Sequence, residues 1–121
     1  MSYLHIDGVG NLAEHAGYWE CEPAVLNGAT LSIESDLVSQ AQEDRARRIC
    51  AHWPEILAQC LAYIEACRAD YDLQASVFTE PGVFIESGDE WSVYFETDHE
   101  QDAVVGVNFK GSTPFQLTIG D

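Results

Sequence analysis

The hydrophobic positions of this chain change their period twice, from two to between three and four, and then back to two. Residues 17–26 and 29–35 alternate apolar and polar positions on either side of Asn27-Gly28, a dipeptide typical of a tight hairpin turn. A shorter apolar stretch, Tyr3 to Ile6, ends at a glycine-containing turn over residues 7–10. The expected inward residues are Trp19, Cys21, Val25, Leu31 and Ile33, and the expected outward ones include Tyr18, Glu20, Glu22, Thr30, Ser32 and Glu34. The pattern predicts N-terminal strands with one face in water.

Apolar residues between positions 49 and 71 recur every three or four positions, which is the spacing of a helix with one buried stripe. Pro54 must interrupt that helix, because proline lacks an N–H and crowds the preceding turn. Proline is well tolerated in the first turn of a new helix, so we predict helices over 38–52 and 54–70. Ser39 and Gln42 have the spacing of a capping box, with Asp36 as an alternative N-cap.

After Tyr71 the alternation of apolar and polar residues returns. Strands are predicted around Val83 and Ile85, over 91–96, over 104–109 and over 115–119, with turns at 87–90 and 110–114. Successive strands joined by short loops are typical of an antiparallel meander. The predicted fold is therefore α+β, one domain over residues 1–121, with an antiparallel sheet and a helical layer on one of its faces.

The net charge of the chain indicates which class of partner it could bind. The 121 residues carry 21 Asp and Glu against five Lys and Arg, a formal net charge of −16. So negative a surface repels nucleic acid and anionic membranes and attracts basic protein. The N-terminus lacks the pattern of a signal peptide, and no stretch approaches the roughly 20 apolar residues of a membrane span. We expect a cytoplasmic protein.

The four cysteines, at positions 21, 50, 60 and 67, match neither a zinc site nor a redox pair in their spacing. Three of them fall on apolar positions of the predicted helices, where a free cysteine behaves as a small hydrophobic residue. We therefore expect a reduced protein without a cofactor, and a disulfide between Cys21 and a helix cysteine remains an alternative.

Residues 80–102 contain eight acidic residues and neither lysine nor arginine. Among them Glu96, Asp98, Glu100 and Asp102 are spaced by two, so a strand through all four would project them from one face. Carboxylates about 7 Å apart along a strand repel each other, which is unfavourable without a positive partner. Two interpretations stay open: a polar hairpin tip whose charges are dispersed in water, or an acidic docking surface.

Catalytic chemistry has weaker support in this sequence. His99 lies between Asp98 and Glu100, but neighbours on a strand point to opposite faces and do not form a dyad. The sequence contains neither a nucleophile elbow nor a phosphate-binding loop, and its histidines lack metal-ligand spacing. Trp91 and Tyr94 fall on opposite faces of one predicted strand, so one of them is expected to face water or a partner.

Three segments carry a resemblance to known proteins: Trp53 to Leu57 in the helical centre, and the closing runs Val105 to Gly111 and Phe115 to Asp121. With the order of the predicted elements, they resemble small acidic bacterial domains of unknown function and the immunity proteins of polymorphic toxin systems. The resemblance implies a binding role and supplies no catalytic residues.

The sequence thus predicts a non-enzymatic, acidic protein-binding module, most concretely an immunity protein that neutralises a basic toxin by electrostatic docking and occlusion. The residues expected to contact the partner are Glu86, Asp89, Glu90, Trp91, Tyr94, Glu96, Asp98, Glu100 and Asp102. One alternative is a small metal-assisted or acid/base hydrolase that uses these carboxylates with His99. Another is a subunit held in an oligomer by the edge of its sheet.

Overall fold

A computed structural model describes residues 2–120, so Met1 and Asp121 lie outside the described residues. The strands are β1 (Tyr3–Ile6), β2 (Gly10–His15), β3 (Tyr18–Cys21), β4 (Thr30–Glu34), β5 (Phe78–Ile85), β6 (Glu90–Thr97), β7 (Val104–Lys110) and β8 (Thr113–Gly120). The helices are α1 (Gln40–Ala51) and α2 (Trp53–Cys67), and short 3-10 turns occupy Ala24–Leu26 and Glu100–Asp102. The α+β fold class predicted from the sequence is confirmed.

The eight strands form one sheet whose spatial order is the order of the chain. Every neighbouring pair is antiparallel except β4 and β5, which are parallel. The prediction of an antiparallel meander is therefore corrected at this one junction. The reason is the helical segment between β4 and β5, because a crossover of that length can carry the chain back to the end of the sheet at which β4 began.

The N-terminal strands differ from the prediction in two places. Strand β2 was not predicted, since its sequence GNLAEH contains a single large apolar residue, Leu12. Strand β3 is much shorter than the predicted 17–26, because a 3-10 turn follows Pro23 and leaves Val25 exposed rather than inward. Asn27 and Gly28 do adopt positive φ angles, of 53° and 93°. They end this turn within a longer β3–β4 connection.

The hydrophobic core lies between the two helices and one face of the sheet. Alternate residues of the strands point to that face, and the cross-strand register keeps them together from Leu31 through Val83, Val93 and Val107 to Leu117. The helices contribute Ala46, Ile49, Trp53, Ile56, Cys60 and Ile64. The sheet therefore has one face buried under helices and one face without them.

Both helices begin within two residues of their predicted first positions. Ser39 is the N-cap of α1, with the reciprocal Ser39–Gln42 hydrogen bonds of a capping box, and Pro54 lies in the first turn of α2. Among the described residues, no helix is long and apolar enough to cross a membrane.

Gln42 connects the start of α1 to the sheet. Its Oε1 accepts the backbone N–H of Ser39 at 3.0 Å, and its Nε2 donates to the carbonyls of Glu34 at 3.3 Å and Glu86 at 3.2 Å. Glu34 ends β4 and Glu86 follows β5. The Gln42 side chain, which is only 3% exposed, therefore joins the C-terminal ends of these two parallel strands to the helical layer.

We expect Gln42→Ala to lower the free energy of unfolding by about 2–3 kcal/mol, because it removes half of the capping box and the two partly buried hydrogen bonds to the Glu34 and Glu86 carbonyls. Urea denaturation measures this loss. Ser39→Ala, which affects only the cap, should cost about 1 kcal/mol. Equal losses in the two variants would contradict the proposed link between α1 and the sheet.

Candidate functional site

The net charge of this protein is distributed unevenly between its layers. The helical segment, residues 40–68, contains four acidic residues and four arginines and contributes no formal net charge. The remaining seventeen acidic residues lie outside this segment, where the one Lys or Arg in the sequence is Lys110. The whole excess of −16 therefore lies outside the helical layer.

The surface without helices, which we call the helix-free face, is formed by the strand residues that point away from the core. Its central members are Tyr18, Glu20, Ser32, Glu34, Phe84, Glu86, Glu90, Ser92, Tyr94, Glu96, Asn108 and Thr118. The parallel pairing of β4 with β5 sets Ser32 beside Phe84 and so joins the N-terminal and C-terminal strands in one surface.

Five glutamates of this face are exposed or half-buried: Glu20, Glu34, Glu86, Glu90 and Glu96. Within residues 2–120, the one Lys or Arg on this face is Lys110, which lies opposite Glu90 in the β6–β7 register. The field over the helix-free face is therefore negative, and it favours a cationic partner.

The aromatic centre of the face is Tyr94. Its cross-strand neighbour is Gly106, and a Cβ atom on that glycine would overlap the Tyr94 ring. The glycine therefore lets the ring lie across β7, an arrangement that covers the bare backbone of a strand glycine. Phe84, on the neighbouring strand, is also half-buried on this face.

Hydrogen bonds between side chains hold the polar part of the face in place. Ser92 Oγ donates to Asn108 Oδ1 at 2.6 Å, and Asn108 Nδ2 donates to Thr118 Oγ1 at 2.8 Å. On the N-terminal strands, Ser32 Oγ donates to Glu20 Oε2 at 3.2 Å. These hydrogen bonds restrict the side chains of the face, and such restriction would reduce the entropy lost on binding a partner.

Two clefts open on the helix-free face at opposite ends of β6. One, of about 250 Å³, is lined by Glu86, Glu90, Tyr94, Asn108 and Phe115 among others. The other, of about 600 Å³, is lined by Glu80, Glu96 and the turn around Gly28. Each cleft has two glutamates, so each could accept a basic side chain of a partner.

Four of the nine residues predicted to contact a partner lie on the helix-free face: Glu86, Glu90, Tyr94 and Glu96. Trp91 points to the opposite face, is 2% exposed and stacks on Phe109 in the core. The alternation of Trp91 and Tyr94 was predicted correctly, and burial leaves Tyr94 as the one able to meet a partner. Asp89 lies in the β5–β6 turn beside Arg45 and Arg48 of α1.

The remaining three predicted residues do not continue the strand. Strand β6 ends at Thr97, and Glu100–Asp102 form a 3-10 turn, so the row of four carboxylates that a continuous strand would have given does not form. Asp102 is buried and accepts the backbone N–H groups of Gln74 and Ala75 at 2.8 and 3.3 Å. Glu100 is exposed in that turn.

Asp98, like Asp102, accepts backbone N–H groups from the segment before β5. Its Oδ1 accepts the N–H groups of Ser76 and Val77 at 2.9 and 3.1 Å, and its Oδ2 accepts the Ser76 hydroxyl at 2.8 Å. These hydrogen bonds lower the pKa of Asp98 to about 2. Asp98 and Asp102 thus fasten the segment that leads into β5, and their negative charge is satisfied by the chain itself.

The alternative enzymatic interpretation depends on His99 acting with the carboxylates near it. His99 Nδ1 lies 3.8 Å from Asp102 Oδ2, but that carboxylate already accepts two backbone N–H groups. Within residues 2–120, no group of three or more His, Cys, Asp or Glu is arranged to hold a metal ion. All four cysteines are free thiols, and burial raises the pKa of Cys21 to about 11 and of Cys60 to about 12. Such thiols are poor nucleophiles at neutral pH.

Eight central residues of the helix-free face were not among the predicted contacts, and the charged and aromatic ones among them are Tyr18, Glu20, Glu34 and Phe84. The alternation did assign the outward direction to the first three. The missing step was the β4–β5 pairing, because only that pairing shows that the outward residues of both halves share one face.

Comparisons with known proteins gave no match: no protein-family model, no curated protein and no solved structure is significantly similar to this chain.

We expect the contribution of Asp98 to stability to depend on pH. Because its pKa is lowered in the folded state from an ordinary 3.8 to about 2, the stabilisation is complete above about pH 4 and is lost as the pH falls toward 2. The difference in unfolding free energy between wild type and Asp98→Asn, measured in urea, should be constant above that range and shrink below it. Glu100→Gln is the control, and a pH-independent difference for Asp98→Asn would contradict the assignment.

A second prediction concerns the ring that covers Gly106. Gly106→Ala should destabilise the protein by about 1–3 kcal/mol, because the new methyl group must displace Tyr94. In a Tyr94→Ala background the same change should cost much less, since the ring is gone. Thermal or urea unfolding of the four proteins closes the double-mutant cycle. Additive effects would show that the ring is not held over the glycine.

Proposed function

We propose that this protein is a non-enzymatic binding module that captures a basic protein on its helix-free face, and that it serves as an immunity protein against a basic toxin. The observation that carries the proposal is the five glutamates gathered on the one sheet face that the helices leave open. Nucleases and other toxins that act on phosphates are cationic, so an acidic inhibitor matches their field.

The face has the dimensions of a protein interface. Eight strands about 4.8 Å apart and roughly six residues long cover on the order of 700 Å². A stable complex buries about 800 Å² on each partner. The helix-free face alone can therefore supply most of one side of such an interface.

Charge also argues that the partner is a different protein. A second copy of this chain would place five carboxylates against five carboxylates, and such like-charge contacts are strongly unfavourable. A basic partner would instead be attracted from a distance and then meet Tyr94 at the centre of the face. Tyrosine is among the residues that most often contribute large binding energies.

The proposal is tested with a partner captured from a lysate of the parent cells at low salt, purified and then assayed by surface plasmon resonance. The test variant is Glu86→Gln/Glu90→Gln/Glu96→Gln. The matched control removes the same charge from loops, as Asp7→Asn/Asp36→Asn/Asp70→Asn. We expect the association rate with wild type to fall about tenfold or more as salt is raised, and the test variant to lose most of that dependence.

Equal slowing in the test variant and the loop control would show that net charge, rather than the helix-free face, attracts the partner. Tyr94→Ala should raise the dissociation rate, because it removes the expected anchor. For the toxin assignment, expression of the captured partner should arrest growth, and wild type but not the test variant should restore it. If the captured partner did not arrest growth, the immunity role would be refuted, whereas the proposal that the helix-free face binds a basic protein would still stand.

A further inference from the structure

A small cavity of about 200 Å³ lies on the helical side of the sheet, between the two helices and the β7–β8 turn. Arg45 and Arg48 of α1 line it together with His52, Gln59 of α2 and Ser112 of the turn. Two of the five Lys and Arg residues of a strongly acidic chain thus border one cavity. The cavity therefore has positive charge, whereas the helix-free face has negative charge.

The two arginines at the cavity lack the partners that other arginines have. Arg47 and Arg68 pair with carboxylates of their own helices at 2.9 and 3.0 Å. Among residues 2–120, no carboxylate lies within ion-pair distance of Arg45 or Arg48. Burial lowers the pKa of Arg45, the charge of Arg48 lowers it further, and Asp89 acts in the opposite direction. The positive charge of Arg45 and Arg48 is therefore only partly neutralised by acidic groups of the protein.

The Arg45 guanidinium is also held in position. Its Cζ lies 5.4 Å from the centroid of the Trp91 ring, a cation–π contact. Trp91 in turn stacks on Phe109 with centroids 4.0 Å apart, and its Nε1 donates to the Gly111 carbonyl at 2.7 Å. A guanidinium fixed on a buried ring loses little freedom when it binds an anion.

The rest of the cavity is partly apolar. Ile49, Ile56 and Trp91 lie at its inner end and are at most 9% exposed. The apolar wall open to a ligand therefore includes the aliphatic parts of the longer side chains that line the cavity, such as Arg48 and Gln59. Gln59 Nε2 donates to the Ser112 carbonyl at 3.4 Å and so closes the side toward the β7–β8 turn. Glu55 is the one carboxylate that lines the cavity, and it is exposed.

We propose that this cavity is a binding site for a small organic anion, in which Arg45 and Arg48 hold a carboxylate and the apolar wall receives a single-ring body. The guanidinium fork matches the geometry of a carboxylate. A volume of about 200 Å³ is below the roughly 300–1,000 Å³ of pockets for drug-sized ligands, which limits the ligand to a smaller molecule. The site is on the other side of the sheet from the helix-free face and does not depend on the proposed function.

The test uses benzoate as the probe, with benzamide and inorganic phosphate as separate comparisons. Binding is followed by two-dimensional NMR, through the indole N–H signal of Trp91 and the side-chain amide signal of Gln59. We expect saturable shifts with benzoate and a dissociation constant on the order of 1 mM. Benzamide lacks the charge and phosphate lacks the ring, so each should bind at least about tenfold more weakly.

Arg48→Gln is the principal variant, because Arg48 is exposed and its loss does not disturb the core. It should weaken benzoate binding about tenfold, whereas Arg47→Gln, which removes the same charge outside the cavity, should leave it unchanged. Glu55→Gln should strengthen binding, since it removes the only negative charge on the lining.

Three results would overturn the proposal. Benzoate could fail to give saturable shifts at about 20 mM. Arg47→Gln could weaken binding as much as Arg48→Gln, which would indicate a general charge effect. Benzamide or phosphate could bind as tightly as benzoate, which would remove the need for a carboxylate or for a ring.

Discussion

The parallel pairing of β4 with β5, held at its ends by Gln42, is the constraint on which the rest of the structure depends. This junction directs both helices to one side of the sheet and aligns the two groups of antiparallel strands in one continuous surface. Gln42 also completes the capping box that begins α1. One buried amide therefore couples the start of the helical layer to the position of the sheet, because its donor and its acceptor are used by different elements.

The separation of charge follows from the same architecture. A helical layer with balanced charges covers the apolar face, and the acidic excess is left to the strands and loops. The outward glutamates of distant strands then converge, since alternation sends every second residue of each strand to the face without helices. The molecule has two sides of different character: an acidic, aromatic sheet face and a neutral helical side with a partly compensated pair of arginines.

The acidic residues of the chain fall into two physical classes. Asp98 and Asp102 accept backbone N–H groups and fasten the segment before β5, so their charge is used within the fold. Glu20, Glu86 and Glu96 project from the helix-free face without such backbone contacts. Only the second class is free to pair with groups outside the fold, which is why the acidic count of residues 80–102 overstates the number of carboxylates available on the helix-free face.

The sequence by itself determined the class of fold, the positions of the helices and the inward and outward sides of most strands. Those features depend on local periods and caps: the alternation through Trp91 and Tyr94, the helix break at Pro54, and the Ser39–Gln42 capping box. The same local rules missed β2, because a strand with one large apolar residue has too weak a pattern to detect.

Only the tertiary structure decided which acidic residues share a surface. Glu20 and Glu96 are far apart in sequence, and they share a face because β4 pairs with β5 across the helical crossover. Residues 98 and 102 follow the spacing of a strand, yet the chain turns after Thr97 because their carboxylates find backbone donors at residues 74–77. Spacing along the chain determines the side on which a residue projects only while the strand continues. Where the strand ends is determined by long-range contacts, which the local sequence pattern does not contain.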